Sequence, residues 1–209
     1  MAVKKDNSTF RQKVLLRQLA IKELVEIGAT PVVLETHGGY GKLYRACYRS
    51  VSQGIVLEKD RDRAAFLARQ RPMWAVYEAD CVDAVRGGVG AHLPVNLLDA
   101  DRYGDPWPVI EAFFESERPR PGVMLVVVND GLRQKVRMGG AWSVETLRPM
   151  VERYGNDLHP IYLEVCQVLI AEKAAHAGYT VDRFAGYYCG HAKQMTHYLA
   201  ILHRGPGQV

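Results

Sequence analysis

Cysteine is scarce in this chain and never clustered. The four present, Cys47, Cys81, Cys166 and Cys189, form no C-x-x-C pair and share no ligand spacing with histidines. That excludes a zinc finger and a disulfide framework, and leaves reduced core thiols as the reading. Long apolar runs are missing as well: nothing approaches the roughly 18 consecutive apolar residues of a membrane span. Residues 1–10, MAVKKDNSTF, carry lysines with no apolar segment behind them, so no secretory signal is read and the expected compartment is the cytoplasm, with no membrane and no metal. Glycine and proline, at 19 and 10 of 209 residues, are too few for a low-complexity chain. Neither sign of charge dominates. The 27 basic and 23 acidic residues leave a net +4, which is compatible with a nucleic-acid partner without demanding one.

What is present is alternation. Residues 10–26 predict a helix with Phe10, Val14, Ile21 and Val25 on one face and Leu15, Leu16 and Leu19 round the other; Gly28 stops it. This segment, 1–28, is expected to pack on a core formed by 29–209. Apolar runs at 31–35, 54–58, 74–77 and 95–98 then read as strands, each followed by a helical stretch. The run 123–128 is apolar at every position, as a central parallel strand is. After a loop of about 16 residues, a long helix opens at Pro160 and ends at Gly178. The segments 179–189 and 195–203 both read as strands and are linked too closely to be parallel. The fold class is α/β: an open, mostly parallel sheet with helices on both faces and an antiparallel ending. Such sheets bind ligands beyond the carboxyl ends of their strands.

Chemistry-bearing residues gather at those ends. After the first strand comes Glu35-Thr36-His37-Gly38-Gly39-Tyr40-Gly41, whose glycines suit close backbone approach to a ligand or simply a tight turn. Glu58 follows the second strand, where a carboxylate can accept both hydroxyls of a ribose, although Glu58 to Arg63 also reads as a solvated helix start. Asp80, before Cys81, is either an adenine contact or a helix N-cap. The fourth strand leads into Asp99-Ala100-Asp101-Arg102-Tyr103-Gly104-Asp105-Pro106-Trp107. There an acidic pair and an aromatic lie beside a helix start that Asp105 and Pro106 suit as cap and first turn.

Together the Gly-rich turn, Glu58, Asp80, the Asp99–Pro106 segment and the terminal strand pair resemble the class I S-adenosylmethionine-dependent methyltransferases, over Pro31 to His203. The Asp99–Pro106 stretch is similar to the D-x-D-P-[FY]-G-x-P motif of tRNA guanine-N2 methyltransferases and, more loosely, to the Asp-Pro-Pro-Tyr box of amino-methylating DNA enzymes. The resemblance implies a single-domain, Rossmann-like, seven-stranded sheet with its last strand antiparallel. It implies S-adenosylmethionine as cofactor, held by Glu35, Thr36, His37, Gly38, Gly39, Gly41, Glu58, Lys59, Asp80, Cys81 and Asp99. Two departures stand out: His37 occupies the place of the first glycine of the cofactor turn, and Arg102 replaces the proline before the aromatic.

The implied activity is methyl transfer to an exocyclic base amine of a nucleic acid, with RNA favoured because no inserted domain remains to read a DNA site. Asp99 is the first choice for the residue that accepts the amine N–H, Asp101 the second, and Tyr103 is expected to stack on the base. Arg102, Trp107, Arg133, Lys135, Arg137 and Trp142 are the candidate substrate contacts, basic residues interleaved with aromatics; the run from Arg133 to Trp142 also reads as a solvated loop. Lys13 and Arg17, within a basic N-terminal stretch, read as solubilising charge. No role is assigned to His197. The competing readings are a methyltransferase of small molecules or proteins, a nicotinamide-linked oxidoreductase, and a non-catalytic methyltransferase-like binding module. A protein partner or an oligomer stays open.

Overall fold

Strand β5 (Val123–Asp130) reads VMLVVVND and buries every residue after the first, so it needs cover on both faces. It has it. In a computed structural model that describes residues 8–102 and 104–205, seven strands form one sheet in the order β3-β2-β1-β4-β5-β7-β6. These are β1 (Val32–Glu35), β2 (Gln53–Glu58), β3 (Ala75–Glu78), β4 (Leu97–Asp101), β5, β6 (Tyr179–Cys189) and β7 (Met195–Arg204). The first five run parallel, and β7 is antiparallel to both β5 and β6. The expected α/β architecture, with a parallel body and an antiparallel ending, is the one observed.

Side chains alternate between two cores. Met124, Val126 and Val128 meet Trp107, Phe113 and Leu169 on one face, beneath α3 (Cys81–Arg86), α4 (Trp107–Glu115) and α7 (Tyr162–His176). Leu125 and Val127 meet Leu16, Ala20 and Leu24 on the other, beneath α1 (Ser8–Glu26), a helical turn at Tyr44–Tyr48 and α2 (Arg61–Gln70). Burying Leu16 and Leu24 is worth roughly 1.5–3 kcal/mol each, which fixes α1 across the sheet.

Several boundaries differ from the sequence reading. In α1 the buried stripe is Leu16, Arg17, Ala20 and Leu24, while Leu15, Leu19 and Val25 face solvent. The stripe was masked because one of its members is an arginine. The expected loop before Pro160 holds α6 (Arg148–Tyr154) between short 3-10 turns, and the segment after β5 forms α5 (Leu132–Arg137); α7 starts at Tyr162. Most consequentially, β4 runs on to Asp101. Asp99 and Asp101 therefore lie within the strand, two residues apart and on one face.

Candidate active site

The face that carries Leu125 and Val127 turns polar toward the carboxyl ends of the strands. Register places Glu35 beside Asp99, Asp101 beside Asn129, and Asn129 beside His197. From the N-terminal part of its buried stripe, α1 presents Arg17 and Lys13 to this row. Arg17 Nε and Nη2 donate to Asp99 Oδ2 and Oδ1 at 2.7 and 2.5 Å, and Tyr48 Oη donates to Asp99 Oδ2 at 2.7 Å. Arg17 and Asp99 are fully buried. Glu35 is likewise buried and accepts from Arg71 Nη1 at 2.5 Å, and Arg71 stacks on the Tyr44 ring at 4.3 Å.

Asp99, the first choice for the substrate acceptor, is thus corrected: Arg17 and Tyr48 hold its carboxylate, which is fully buried and does not line the cavity described below. Asp101 is placed differently. Lys13 Nζ donates to its Oδ1 at 2.7 Å, and Asn129 Nδ2 donates to the same oxygen. Oδ2 has no hydrogen-bond partner among the described residues, and the side chain keeps 16% exposure. Burial raises the Asp101 pKa, but the charges of Arg17 and Lys13 outweigh it and hold the carboxylate below its usual range. Asp101 lines a cavity of about 690 Å³, within the span of small-ligand sites. Its walls include Phe10 and Lys13 of α1, the turn His37–Tyr40, and Gly190 and Met195 beside the β6–β7 turn.

The turn after β1 is built for close backbone packing. A Cβ on Gly38 would sit 2.5 Å from Leu67 and Val56, so that glycine serves the approach of α2 to the sheet. Gly39, at φ +52°, has open space around it, and its N–H donates to Glu58 Oε2 at 2.8 Å. Glu58 Oε1 accepts from the Asp60 N–H at 3.0 Å. Each oxygen keeps a second lone pair, so the carboxylate remains an acceptor for hydroxyl groups. Thr36 ties β1 to β4 through Asp99 O. His37 bridges from Thr36 Oγ1 (2.8 Å) to Cys81 Sγ (3.6 Å), spanning the gap between the end of β1 and the start of α3. Burial, helped by Arg102, lowers its pKa and keeps it neutral. Asp80 is the N-cap of α3, accepting from the Val82 N–H at 3.0 Å, with Lys59 3.5 Å away.

The remaining candidates scatter. Trp107 is wholly buried in the α4 core and is no surface contact; just ahead of the helix, Asp105 Oδ1 accepts from the Trp107 N–H at 3.0 Å. Arg133 is also buried, stacked 3.7 Å above the Tyr188 ring and donating to Lys193 O, so it braces the β6–β7 turn. Lys135, Arg137 and Trp142 are exposed, and Arg137 and Trp142 line a separate groove of about 360 Å³. Arg102 is half-buried, and Tyr103 lies outside the described residues. The sequence reading missed Lys13, Arg17, Tyr48, Arg71 and Asn129. The available signal was spacing: Arg17 and Lys13 sit one and two turns before Ala20 on the stripe that Leu24 continues. Among the described residues no group of acids, cysteines and histidines is arranged to hold a metal, and no helix is long and apolar enough to cross a membrane.

No family model and no curated protein matches the chain. Solved structures do. The chain is similar to Trm1 from Pyrococcus horikoshii, solved with S-adenosyl-L-methionine, at TM-score 0.66 and 14% identity over 93% of this chain and 56% of that one; it thus spans little more than half of that protein. It is similar to the N-methyltransferase NodS from Bradyrhizobium japonicum, solved with S-adenosyl-L-homocysteine, at TM-score 0.59 and 12% identity over 96% and 89%. A putative RNA methyltransferase from P. horikoshii matches at TM-score 0.52 and 13% identity over 92% and 83%. The fold is that of the S-adenosylmethionine-dependent methyltransferases.

Proposed function

We propose that this protein is an S-adenosylmethionine-dependent methyltransferase that modifies an exocyclic amine of a nucleic-acid base, RNA rather than DNA. The observation that carries the reading is Asp101, held below its usual pKa range and lining the cavity that opens beside the Gly38–Gly39 turn, with no partner on Oδ2 among the described residues. The residues present fit the cofactor: Glu58 offers acceptors for ribose hydroxyls, Gly39 allows close approach of the backbone, and Asp80 and Cys81 flank the far end. His37 is the wall between these two ends and forms part of the nucleoside pocket. The cofactor supplies a methyl group already activated on a sulfonium.

The protein's share is alignment and exclusion of water. Asp101 Oδ2 accepts an N–H of the incoming amine and turns its lone pair toward the methyl donor, then takes the proton that the amine loses. Lys13 and Asn129 hold the other oxygen and keep the carboxylate ionised. Phe10, Leu43 and Met195 line the cavity with apolar surface. Arg137 and the half-exposed Trp142 support a nucleic-acid substrate, since stacking of one base on an aromatic is worth roughly 1–3 kcal/mol. The name of the RNA methyltransferase neighbour supports RNA in particular.

The test is transfer of a radiolabelled methyl group to total RNA, to DNA and to a panel of small amines. Label in RNA that is lost in Asp101→Asn supports the proposal. Label confined to small amines keeps the chemistry and overturns the substrate.

A further inference from the structure

At the opposite end of the strands, about 26 Å from the carboxyl end of β5 for a strand of this length, three arginines gather around one cavity. Arg118 and Arg120 lie on the segment between α4 and β5, and Arg204 ends β7, its N–H bonded to Gly122 O at 2.9 Å. All three line a cavity of about 710 Å³ between the ends of α4 and α7. No ion pair among the described residues includes any of them. Glu115 and Glu117 also line this cavity, as exposed rim residues.

The arginines differ in what occupies them. Arg120 is committed to the fold: its guanidinium donates to Phe114 O and Ser116 O at 2.7 and 2.6 Å, capping the negative end of α4. Arg118 is nine-tenths buried and stacked 4.4 Å over the Phe113 ring. Its Nε donates to Ser116 Oγ, yet both terminal nitrogens are buried with no partner. Arg204 Nε is buried and unpartnered too. Buried arginines are ordinarily paired, because an uncompensated cation is costly to desolvate. Here Arg118 stacks on Phe113 and Arg204 Nη1 reaches only the Arg120 carbonyl, at 3.4 Å. Burial and the neighbouring Arg120 push the Arg118 pKa down to about 10, and burial and Arg204 lower that of Arg120.

We propose that this cluster is an anion site for a phosphate group, with Arg118 and Arg204 as its ligands and Arg120 supplying fixed positive potential. A guanidinium presents paired N–H donors at the spacing of two phosphate oxygens, and a phosphate would satisfy the donors that the fold leaves unfilled. The site does not depend on the methyltransferase reading, since it lies at the other end of the strands. Its phosphate can come from a nucleic-acid backbone or from a free phosphate.

The test titrates the full chain with inorganic phosphate against chloride at equal ionic strength, followed by calorimetry, and then with a short single-stranded RNA. Saturable phosphate binding that weakens at least about tenfold in Arg118→Gln and in Arg204→Gln is expected. Loss of RNA affinity in the same variants identifies the backbone as source; unchanged RNA affinity identifies free phosphate. Arg204→Gln, at a strand end, guards against misfolding of the Arg118 variant. Phosphate binding no tighter than chloride, or folded variants that bind like the parent, would overturn the site.

Discussion

Arg17 closes on Asp99 across 82 positions of sequence, with both contacts at 2.7 Å or less and both side chains without solvent exposure. The pair joins α1 to the middle of the sheet at the point where the apolar face turns polar. Asp99 is thereby a structural carboxylate, and its neighbour Asp101 is left as the one that faces the cavity.

Removing one partner of this pair strands the other in a dry interior. Arg17→Met should lower unfolding free energy by about 3–5 kcal/mol, read from the shift of the urea midpoint. The double variant Arg17→Met, Asp99→Leu should recover much of that loss. A single variant as stable as the parent would show that the pair is not closed in solution.

The two aspartates should separate in kinetics. Asp101→Asn keeps the shape and removes the charged acceptor, so kcat should fall by about 10²–10⁴-fold, while the unfolding midpoint and the affinity for S-adenosylhomocysteine stay near those of the parent. Asp99→Asn should act mainly on stability. The reverse pattern would move the acceptor back to Asp99.

Asp130 offers a pH signature. Burial pushes its carboxyl up to about 7, against opposing hydrogen bonds from the Leu132 N–H and Tyr162 Oη. Between the unfolded value near 4 and about 7 the folded state therefore binds more protons than the unfolded one. This contribution is fully present below pH 4 and is lost as pH rises through 7, at up to about 1.4 kcal/mol per unit. Buried His197, whose pKa is lowered to about 3, titrates the other way, losing stability as pH falls below 6.5. The informative quantity is thus a difference: Asp130→Asn should gain on the parent between pH 4 and 7 and plateau above, measured by urea unfolding across that range. A difference independent of pH would contradict the assignment.

His37 stands where a glycine-rich cofactor turn has its first glycine, and its ring bridges Thr36 and Cys81. As a wall of the proposed nucleoside pocket it should set cofactor affinity. His37→Gly should change the Kd for S-adenosylhomocysteine by at least about threefold with little effect on unfolding. An unchanged Kd would place the ring outside the bound pocket.

Much of the fold was legible because its signals are local. The apolar run of β5, the Gly-rich turn and the closely linked strands β6 and β7 each carry their own pattern. The site was legible only in part. Glu35, Asp99 and Asp101 could be located at strand ends, but which aspartate is occupied depends on Arg17, a partner that no local pattern ties to them. Lys13 and Arg17 looked like surface charge because their acids lie 88 and 82 positions away. Trp107 looked like a substrate contact because an aromatic beside Asp105 and Pro106 fits a binding loop as well as a helix start; the packing of α4 decides it. The short helices between 132 and 158 are too brief for periodicity to show.

Calorimetric titration reads whether the turn after β1 and Glu58, the last residue of β2, hold an S-adenosyl group as proposed. The parent protein should bind S-adenosylmethionine and S-adenosylhomocysteine saturably. Glu58→Ala, folded by its unfolding midpoint, should bind both more weakly by about 1.5–3 kcal/mol, the worth of hydrogen bonds to a charged acceptor. A folded parent that binds neither compound, or a Glu58→Ala protein that binds both as tightly, would contradict that proposal.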